Sequence, residues 1–484
     1  MPAPLRGLAA VMLSLALVSA ACSDDTAADA TPSTTTTTTT TVAPTSTTTD
    51  PPAPTTTLDP NRTITVGLSG DIAPAHDPDI AKEGDWYYVF LTGHGVPIRR
   101  SQDLAHWEEI GSVFEEPHPA WIDAYDWVNE GDHLGAPDIE FFDDRWHVYY
   151  HSHRFATNNA ITGHAWNVTL DPDSPDYAWV DDGLVMSSND VDHTYSVLDA
   201  NAVVDENGDP WMTFGSFWDG VQITRLDAAS GAPVDDESSQ LLAGRDPWFL
   251  GVEASSTAHH DGHWYLFVSW GFCCQGVDTK YEIRVGRSPT ITGPYLDRDG
   301  NDMLVNGGSL LLGAHDQVIG PGSGDVLVTD DDSVLVHHWY DRDNDGETTF
   351  GVRPLLWSPD GWPVAADTGF VAAGPAATAD DVVGVWTLGQ YQDSTPATIE
   401  LRSDGTIADD LGTWSLDAAT GTVSLQVDAC PALAGSTHLL FFGTDATGAA
   451  AGFGHSDTGL PVRAVKTEGA PLTCAAPADL NLNS

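Results

Sequence analysis

One pattern returns five times along the chain: an acid or small polar residue, a short apolar run, a polar turn, then an aromatic or branched strand. The first copy is His76-Asp77-Pro78-Asp79-Ile80-Ala81, turning through Glu83-Gly84-Asp85 into Trp86-Tyr87-Tyr88-Val89-Phe90. The second runs from Ala136-Pro137-Asp138-Ile139 through Asp143-Asp144 into Trp146-His147-Val148-Tyr149. The third runs from Asp199-Ala200-Asn201 through Asn207-Gly208 into Trp211-Met212-Thr213-Phe214. The fourth leads from Glu253-Ala254-Ser255 through Asp261-Gly262 into Trp264-Tyr265-Leu266-Phe267. A worn fifth leads from Ser323-Gly324-Asp325 through Asp330-Asp331-Asp332 into Val334-Leu335-Val336. Anchored on residues 77, 138, 199, 253 and 323, the copies lie 61, 61, 54 and 70 residues apart. Each reads as a β-hairpin. Five four-stranded units at that period predict an all-β, five-bladed β-propeller rather than separate domains. The same point of every innermost strand then faces one axial cavity, so Asp77, Asp138, Asp199 and Glu253 are expected to converge there.

Residues 1–22 read as an export signal: Arg6 gives the positive start, Leu8 to Val18 the apolar core, and Ser19-Ala20-Ala21-Cys22 a small-residue cleavage site. A cysteine in that place predicts a bacterial lipoprotein held at the cell surface through Cys22, its only tie to a membrane. Residues 23–62 are Thr- and Pro-rich and cannot bury enough surface to offset their ordering entropy, so they read as a disordered stalk. The propeller is expected over 63–378. From 379 to 484 the period breaks into short alternating strands at Gly384-Leu388, Ala397-Leu401, Gly412-Leu416, Thr422-Val427, His438-Phe442 and Pro461-Lys466, with Gly405 and Gly421 in turns. This reads as a small C-terminal β-barrel or sandwich. Cys430 and Cys474 are expected to pair there, a closure worth about 4 kcal/mol on the chain-entropy model. Cys273 and Cys274 are adjacent, either a vicinal disulfide or two buried thiols.

The 71 acids against 18 bases leave a formal charge of −53. Nothing on such a chain would neutralise phosphates or uronates, which argues against nucleic acid and acidic polysaccharide and suits a neutral ligand. Carboxylates from separate blades, with no Ser/His dyad and no cysteine nucleophile among them, point to acid–base work on a neutral bond. Glycoside hydrolysis needs such a pair, one carboxylate to activate water and one carboxylic acid to protonate the leaving oxygen. Glu253 follows Trp248-Phe249-Leu250-Gly251-Val252, apolar surroundings that favour its protonated form. Asp77 stands beside His76 and should stay ionised. A single aspartate at a blade's start more often caps a turn, but four acids at the same phase of successive repeats resist that reading.

With these residues in view, the chain resembles glycoside hydrolase family 43, and within it the endo-1,5-α-L-arabinanases. The resemblance rests on His76-Asp77-Pro78, Ala136-Pro137-Asp138-Ile139, Gly215-Ser216-Phe217-Trp218-Asp219-Gly220, Val252-Glu253-Ala254, Phe272-Cys273-Cys274 and Ile291-Thr292-Gly293-Pro294-Tyr295, across residues 66–370. It implies an inverting hydrolase of internal α-1,5 bonds in arabinan, a neutral plant polysaccharide, acting outside the cell as a monomer. Asp77 would be the base, Glu253 the acid, and Asp138 the residue that orients Glu253 and raises its pKa. Inversion implies the two carboxyls about 6.5–9.5 Å apart. Substrate contacts fall by similarity on Ser196, Asp199, Ser216, Phe217 and Trp218. An exo-acting arabinofuranosidase or xylosidase of the family, or a propeller that only binds glycan, are the alternatives.

The chain departs from the family pattern at three places. Gly135 stands where a tryptophan precedes Ala-Pro-Asp, which would open space near the axis. Ser196-Val197-Leu198-Asp199 replaces Asn-Ala-Ile-Asp. In the fifth blade, Gly320-Pro321-Gly322-Ser323 replaces Gly-Pro-Gly-His, whose histidine helps hold an axial metal, often calcium. A serine hydroxyl is a weak oxygen ligand, which puts a Ca2+ ion on the axis in question. His315 is read as a surface-loop residue, and Asp341-Arg342-Asp343-Asn344-Asp345-Gly346 as a β-turn, since the twelfth position of a calcium loop would be Val352.

Overall fold

The computed structural model describes residues 67–474 except 126–133, 236–238, 330–331, 391–395, 429, 431–432, 434–436, 468 and 470–471. The expected leader with Cys22, the stalk and the Asp330-Asp331 turn lie outside the described residues. Five antiparallel sheets follow one another along the chain. Their first strands are Asp79–Glu83, Gly135–Phe142, Asn201–Val204, Val252–His260 and Val318–Val328. Each sheet is a four-stranded meander in chain order, and the first adds Ser69–Gly70 parallel to His106–Ser112. This is the five-bladed propeller that the repeat predicts. The polar turns behave as their residues require: Asp143 and Asp144 take φ of 47° and 60°, and Asp261 and Gly262 take 46° and 74°, the left-handed pairs that match strand twist in a two-residue hairpin.

Apolar side chains fill the spaces between blades. Tyr88, Phe90 and Ile98 of the first blade pack with Ile139, Trp146 and Tyr150 of the second, and Ile80, Val89 and Trp107 pack with Val336, Phe350 and Val352 of the fifth. Among the described residues, no strand of the first blade is lent to the fifth. The ring is shut by backbone bonds at its seam, where Ala75 N–H donates to the Thr348 carbonyl and Phe350 N–H to that of Ile72, and by a circle of hydrogen bonds at the axis. There Asp79 Oδ1 accepts the Ile139 amide (3.0 Å), and Asp138 accepts the Ala202 amide (2.9 Å) and Asn201 Nδ2 (2.8 Å). Asn201 Oδ1 accepts the Thr257 amide (2.9 Å), and Ser256 Oγ accepts the Val326 amide (3.2 Å). Ser256 in turn donates to Asp325 Oδ1 (2.6 Å), and Asp325 Oδ2 accepts the Ile80 amide (3.1 Å). Every blade thus receives an inner-strand amide of the next, and the fifth returns to the first.

The C-terminal strands close into an eight-stranded barrel. Thr437–Thr444 pairs with both Thr422–Val427 and Ala450–Ser456, and Pro461–Lys466 returns to Gly384–Gln390. Val371–Ala372 already pairs with Thr437–Thr444, so the chain joins the barrel sheet before residue 379. Cys430 and Cys474 are disulfide-bonded, with Cα atoms 5.0 Å apart. The strand Ala450–Ser456 was not legible, because Ala and Gly disfavour strands. Its glycines are there for closeness: a Cβ on Gly454 would lie 1.7 Å from the Leu439 carbonyl oxygen. The barrel meets the propeller through paired cations and rings. Arg298 donates to His455 Nε2 at 2.7 Å, and Arg463 reaches Asp367, which also holds Arg353. His315 packs there against Arg353 and the Gly313 carbonyl rather than standing in a free loop, its pKa pushed down to about 4 by burial and then by Arg353.

The axial circle sets a measurable stability. Asp325→Ala leaves the Ile80 amide and the Ser256 hydroxyl buried without their acceptor, an expected loss of about 2–4 kcal/mol. Urea unfolding of the variant beside wild type measures it, and a loss below about 1 kcal/mol would show that the circle does not hold the seam.

Candidate active site

Each innermost strand is entered through a residue with left-handed backbone: Asp77 (φ 46°), Ala136 (30°), Asp199 (54°), Ala254 (49°) and Ser323 (46°). In the second, fourth and fifth blades this residue sits in a bulge of the sheet register. Such a kink re-aims a side chain at a strand's end. The residue two further on, Asp79, Asp138, Asn201, Ser256 or Asp325, belongs to the axial circle.

The structural phase therefore differs from the one read in sequence. Asp77 and Asp199 occupy the kinked position, whereas Asp138 lies one pleat lower. Asp138 is buried and its carboxylate is taken by Asn201 and Ala202. Glu253 takes its hydrogen bonds from Ser216 and Tyr281 instead. The carboxyl that faces Glu253 and Asp77 is Asp199, whose pKa burial raises well above the ordinary value, with Glu253 and Asp77 pushing it further. Asp199 Oδ2 accepts the amide of Ala254, the residue next to Glu253 (3.1 Å), and its own amide donates to His151 Nδ1 (3.3 Å). Gly135 makes room for that imidazole. A Cβ there would lie 2.4 Å from His151 Nε2, so the space left by the missing tryptophan is filled rather than open.

Asp77 is surrounded by donors. His76 Nδ1 lies 2.7 Å from Oδ2, the Thr92 hydroxyl donates to the same oxygen at 2.6 Å, and the Asp77 amide itself donates to His338 Nδ1 at 3.2 Å. Burial alone would raise this carboxyl, but His76, His338 and Thr92 hold it well below the usual carboxylate range. His76 stacks on His338 at 3.9 Å, and its Nε2 lies 3.2 Å from the Tyr340 hydroxyl. Tyr340 accepts the amide of Cys274, which forms a disulfide with Cys273, so the cysteine pair abuts the His76–Tyr340 side of the site.

Glu253 is governed in the opposite sense. Burial raises its pKa, and the negative charge of Asp77 raises it further, against lowering by two hydroxyls and His76. Those hydroxyls are Ser216 on Oε2 and Tyr281 on Oε1, each at 2.5 Å. Ser216 thus holds Glu253, where sequence suggested a substrate contact. Tyr281 was not foreseen, since it enters from the loop before Glu282–Ser288 with no pattern to mark it. Phe217 and Trp218 follow Ser216 and remain half-buried at the rim, while Ser196 is buried beneath the site.

The residues facing the axial cavity do not make an imidazole-led metal set. Ser323 lines it with Asp77, Asp79, Asp199 and Asp325, and its amide donates to Ser269 Oγ. Both oxygens of Asp138 and of Asp325 are committed to the circle, and His315 is elsewhere. Among the described residues, ligand atoms of His76, Asp77 and His338 lie within 4.8 Å of one another, but these already bond each other. The steps below need no metal. Asp341–Gly346 is a tight turn, the Gly346 amide donating to the Asp341 carbonyl.

An ionised carboxylate and a carboxyl driven toward protonation, facing one axial cleft, are the equipment of a glycoside hydrolase. The chain belongs to glycosyl hydrolases family 43, whose pattern matches residues 72–363. It is similar to an extracellular endo-α-(1→5)-L-arabinanase of Bacillus subtilis (strain 168), 35% identical over 60% of this chain and 86% of the relative. An extracellular exo-α-(1→5)-L-arabinofuranosidase of Cellvibrio japonicus is 34% identical over 60% of this chain and 85% of its own. Among solved structures, an α-L-arabinanase of Cellvibrio cellulosa complexed with arabinohexaose superposes with a TM-score of 0.59 at 32% identity, covering 61% of this chain and 96% of that one.

The Glu253 partners give a signed expectation. The Tyr281 hydrogen bond favours ionised Glu253, so Tyr281→Phe raises the acid's pKa and moves the alkaline limb of kcat/KM to higher pH, while kcat falls from lost orientation. A pH–rate profile of the two proteins checks this, and an unmoved limb would mean that another group titrates there.

Proposed function

We propose that the protein hydrolyses arabinan at internal α-1,5-L-arabinofuranosidic bonds with inversion of configuration. An arabinan-degrading glycoside hydrolase is what the family and its relatives support, and the reading rests above all on the opposed ionisation of Asp77 and Glu253. Asp77, held ionised by His76 and Thr92, takes a proton from water as the water attacks the anomeric carbon. Glu253, steadied by Ser216 and Tyr281, gives its proton to the departing O5 of the next sugar. Burial and the charge of Asp77 keep Glu253 protonated until then, and Asp199, rather than Asp138, is the carboxyl that braces its strand through the Ala254 amide. The circle residue Asp138 supports the strand below.

The relatives at 35% and 34% identity are endo- and exo-acting by name, so likeness alone does not divide the two modes. Both are extracellular by name, which agrees with export of this chain; anchoring at Cys22 is part of the proposal.

Product analysis on linear α-1,5-arabinan tests the reading, using the protein without residues 1–60, beside Glu253→Ala, with and without chelator. Short oligosaccharides from wild type and at least a hundredfold loss in the variant are expected. Arabinose alone would establish exo action, bound but uncleaved arabinan would make the chain a binding protein, and loss of activity with chelator would restore a metal to the axis.

A further inference from the structure

Beside the acid lies a surface that the hydrolytic steps leave unused. Among the described residues, three of the five exposed Phe and Trp side chains are Trp248, Phe249 and Phe272, on a chain otherwise covered with acids. Trp248 is 43% exposed and Phe249 53% exposed. Trp248 stacks on Trp218 at 4.5 Å with planes 17° apart, and Phe249 meets Trp248 edge-on at 6.2 Å. Phe217 packs on Phe272 at 5.4 Å.

These rings are fastened to the acid by short links. Trp248–Leu250 is a single helical turn ending three residues before Glu253. The Phe217 amide donates to the Val252 carbonyl (2.9 Å), and a Cβ on Gly251 would lie 2.8 Å from the Phe217 ring, so glycine lets the two loops close on each other. Ser216 and Tyr281, the two donors to Glu253, lie next to Phe217 and just past Phe272 in the same loops.

We propose that Trp248 and Phe249, with Trp218, form a platform for the leaving portion of the glycan, the sugars on the reducing-end side of the cleaved bond. The proposal rests on the reading of Glu253 as the acid. An acid must stand at the oxygen that departs, and that oxygen stays with the leaving chain. Rings attached to the acid's own loops therefore meet the chain beyond that oxygen. A furanose ring presents C–H faces that stack on flat aromatic surfaces, and a neutral sugar chain is the ligand that an apolar strip can take without ion pairing. The rim around Asp77 offers imidazoles and a hydroxyl instead, suited to water.

Arabinohexaose labelled at its reducing end, digested by wild type, Trp248→Ala, Phe249→Ala and Trp248→Phe, tests the assignment. Losing leaving-side binding shifts productive binding the other way, so the alanine variants should release shorter labelled fragments. Their kcat/KM on arabinan should fall about tenfold, with Trp248→Phe restoring most of it. Longer labelled fragments would place the platform on the opposite side, and an unchanged pattern would remove it from substrate binding; both overturn the proposal. Sedimentation of the same proteins covers a second copy as occupant: a wild-type dimer dissociated by Trp248→Ala would overturn it too. If wild type fails to cut arabinohexaose at all, the reading of the activity falls first.

Discussion

One amide on the axial edge of each innermost strand is the point on which this propeller turns. It lies beside the axis, where no strand is available to pair with it, and a buried N–H without an acceptor is costly. The chain answers with one short polar side chain per blade, Asp79, Asp138, Asn201, Ser256 and Asp325, each reaching the amide of the next blade. Because the fifth returns to the first, the bonds form a closed circle, and the blades need no shared strand to hold the ring together at its centre. Side chains short enough to span adjacent blades also fix how near those blades stand.

That spacing carries the chemistry. One pleat above the circle, a left-handed residue turns each strand toward the cleft, and two of the five such residues are Asp77 and Asp199. Glu253 lies one residue before the kink of its strand and so approaches from the fourth blade at a different angle. The Thr92 hydroxyl, which donates to Asp77 and accepts the Ala136 amide, shows how neighbouring blades brace the same carboxylate.

The fold was legible because period-2 alternation and Gly/Asp turns repeat five times, and chemistry was legible in Asp77 and Glu253 because of the company they keep in sequence. The difference in phase between Asp138 and Asp77 has a clear origin. Residues two apart on a strand share a face, so alternation cannot distinguish the kinked position from the circle position. Aligning by residue type then put Asp138 level with Asp77, although Ala136 is its true counterpart. The strand Ala450–Ser456 was missed because glycine there serves close backbone approach, a property of the neighbour Leu439 and not of the local sequence. Tyr281 and Ser216 escaped as partners of the acid for a similar reason: their role depends on loops from two blades meeting over a third residue.

Stacking so many carboxyls on one axis raises the question of how their charges coexist. The surroundings sort them. Asp77 alone is enclosed by imidazoles and a hydroxyl donor, and it stays ionised. Asp79, Asp138 and Asp325 are raised by burial, and Asp79 and Asp138 further by the other acids near the axis. Asp199 and Glu253 are raised in the same way, with Asp77 as a common source of repulsion. A proton drawn into this column therefore avoids the base and settles on the acids around it, Glu253 among them. Burial thus drives Glu253 toward its protonated form, while His76, His338 and Thr92 keep Asp77 charged against the same burial.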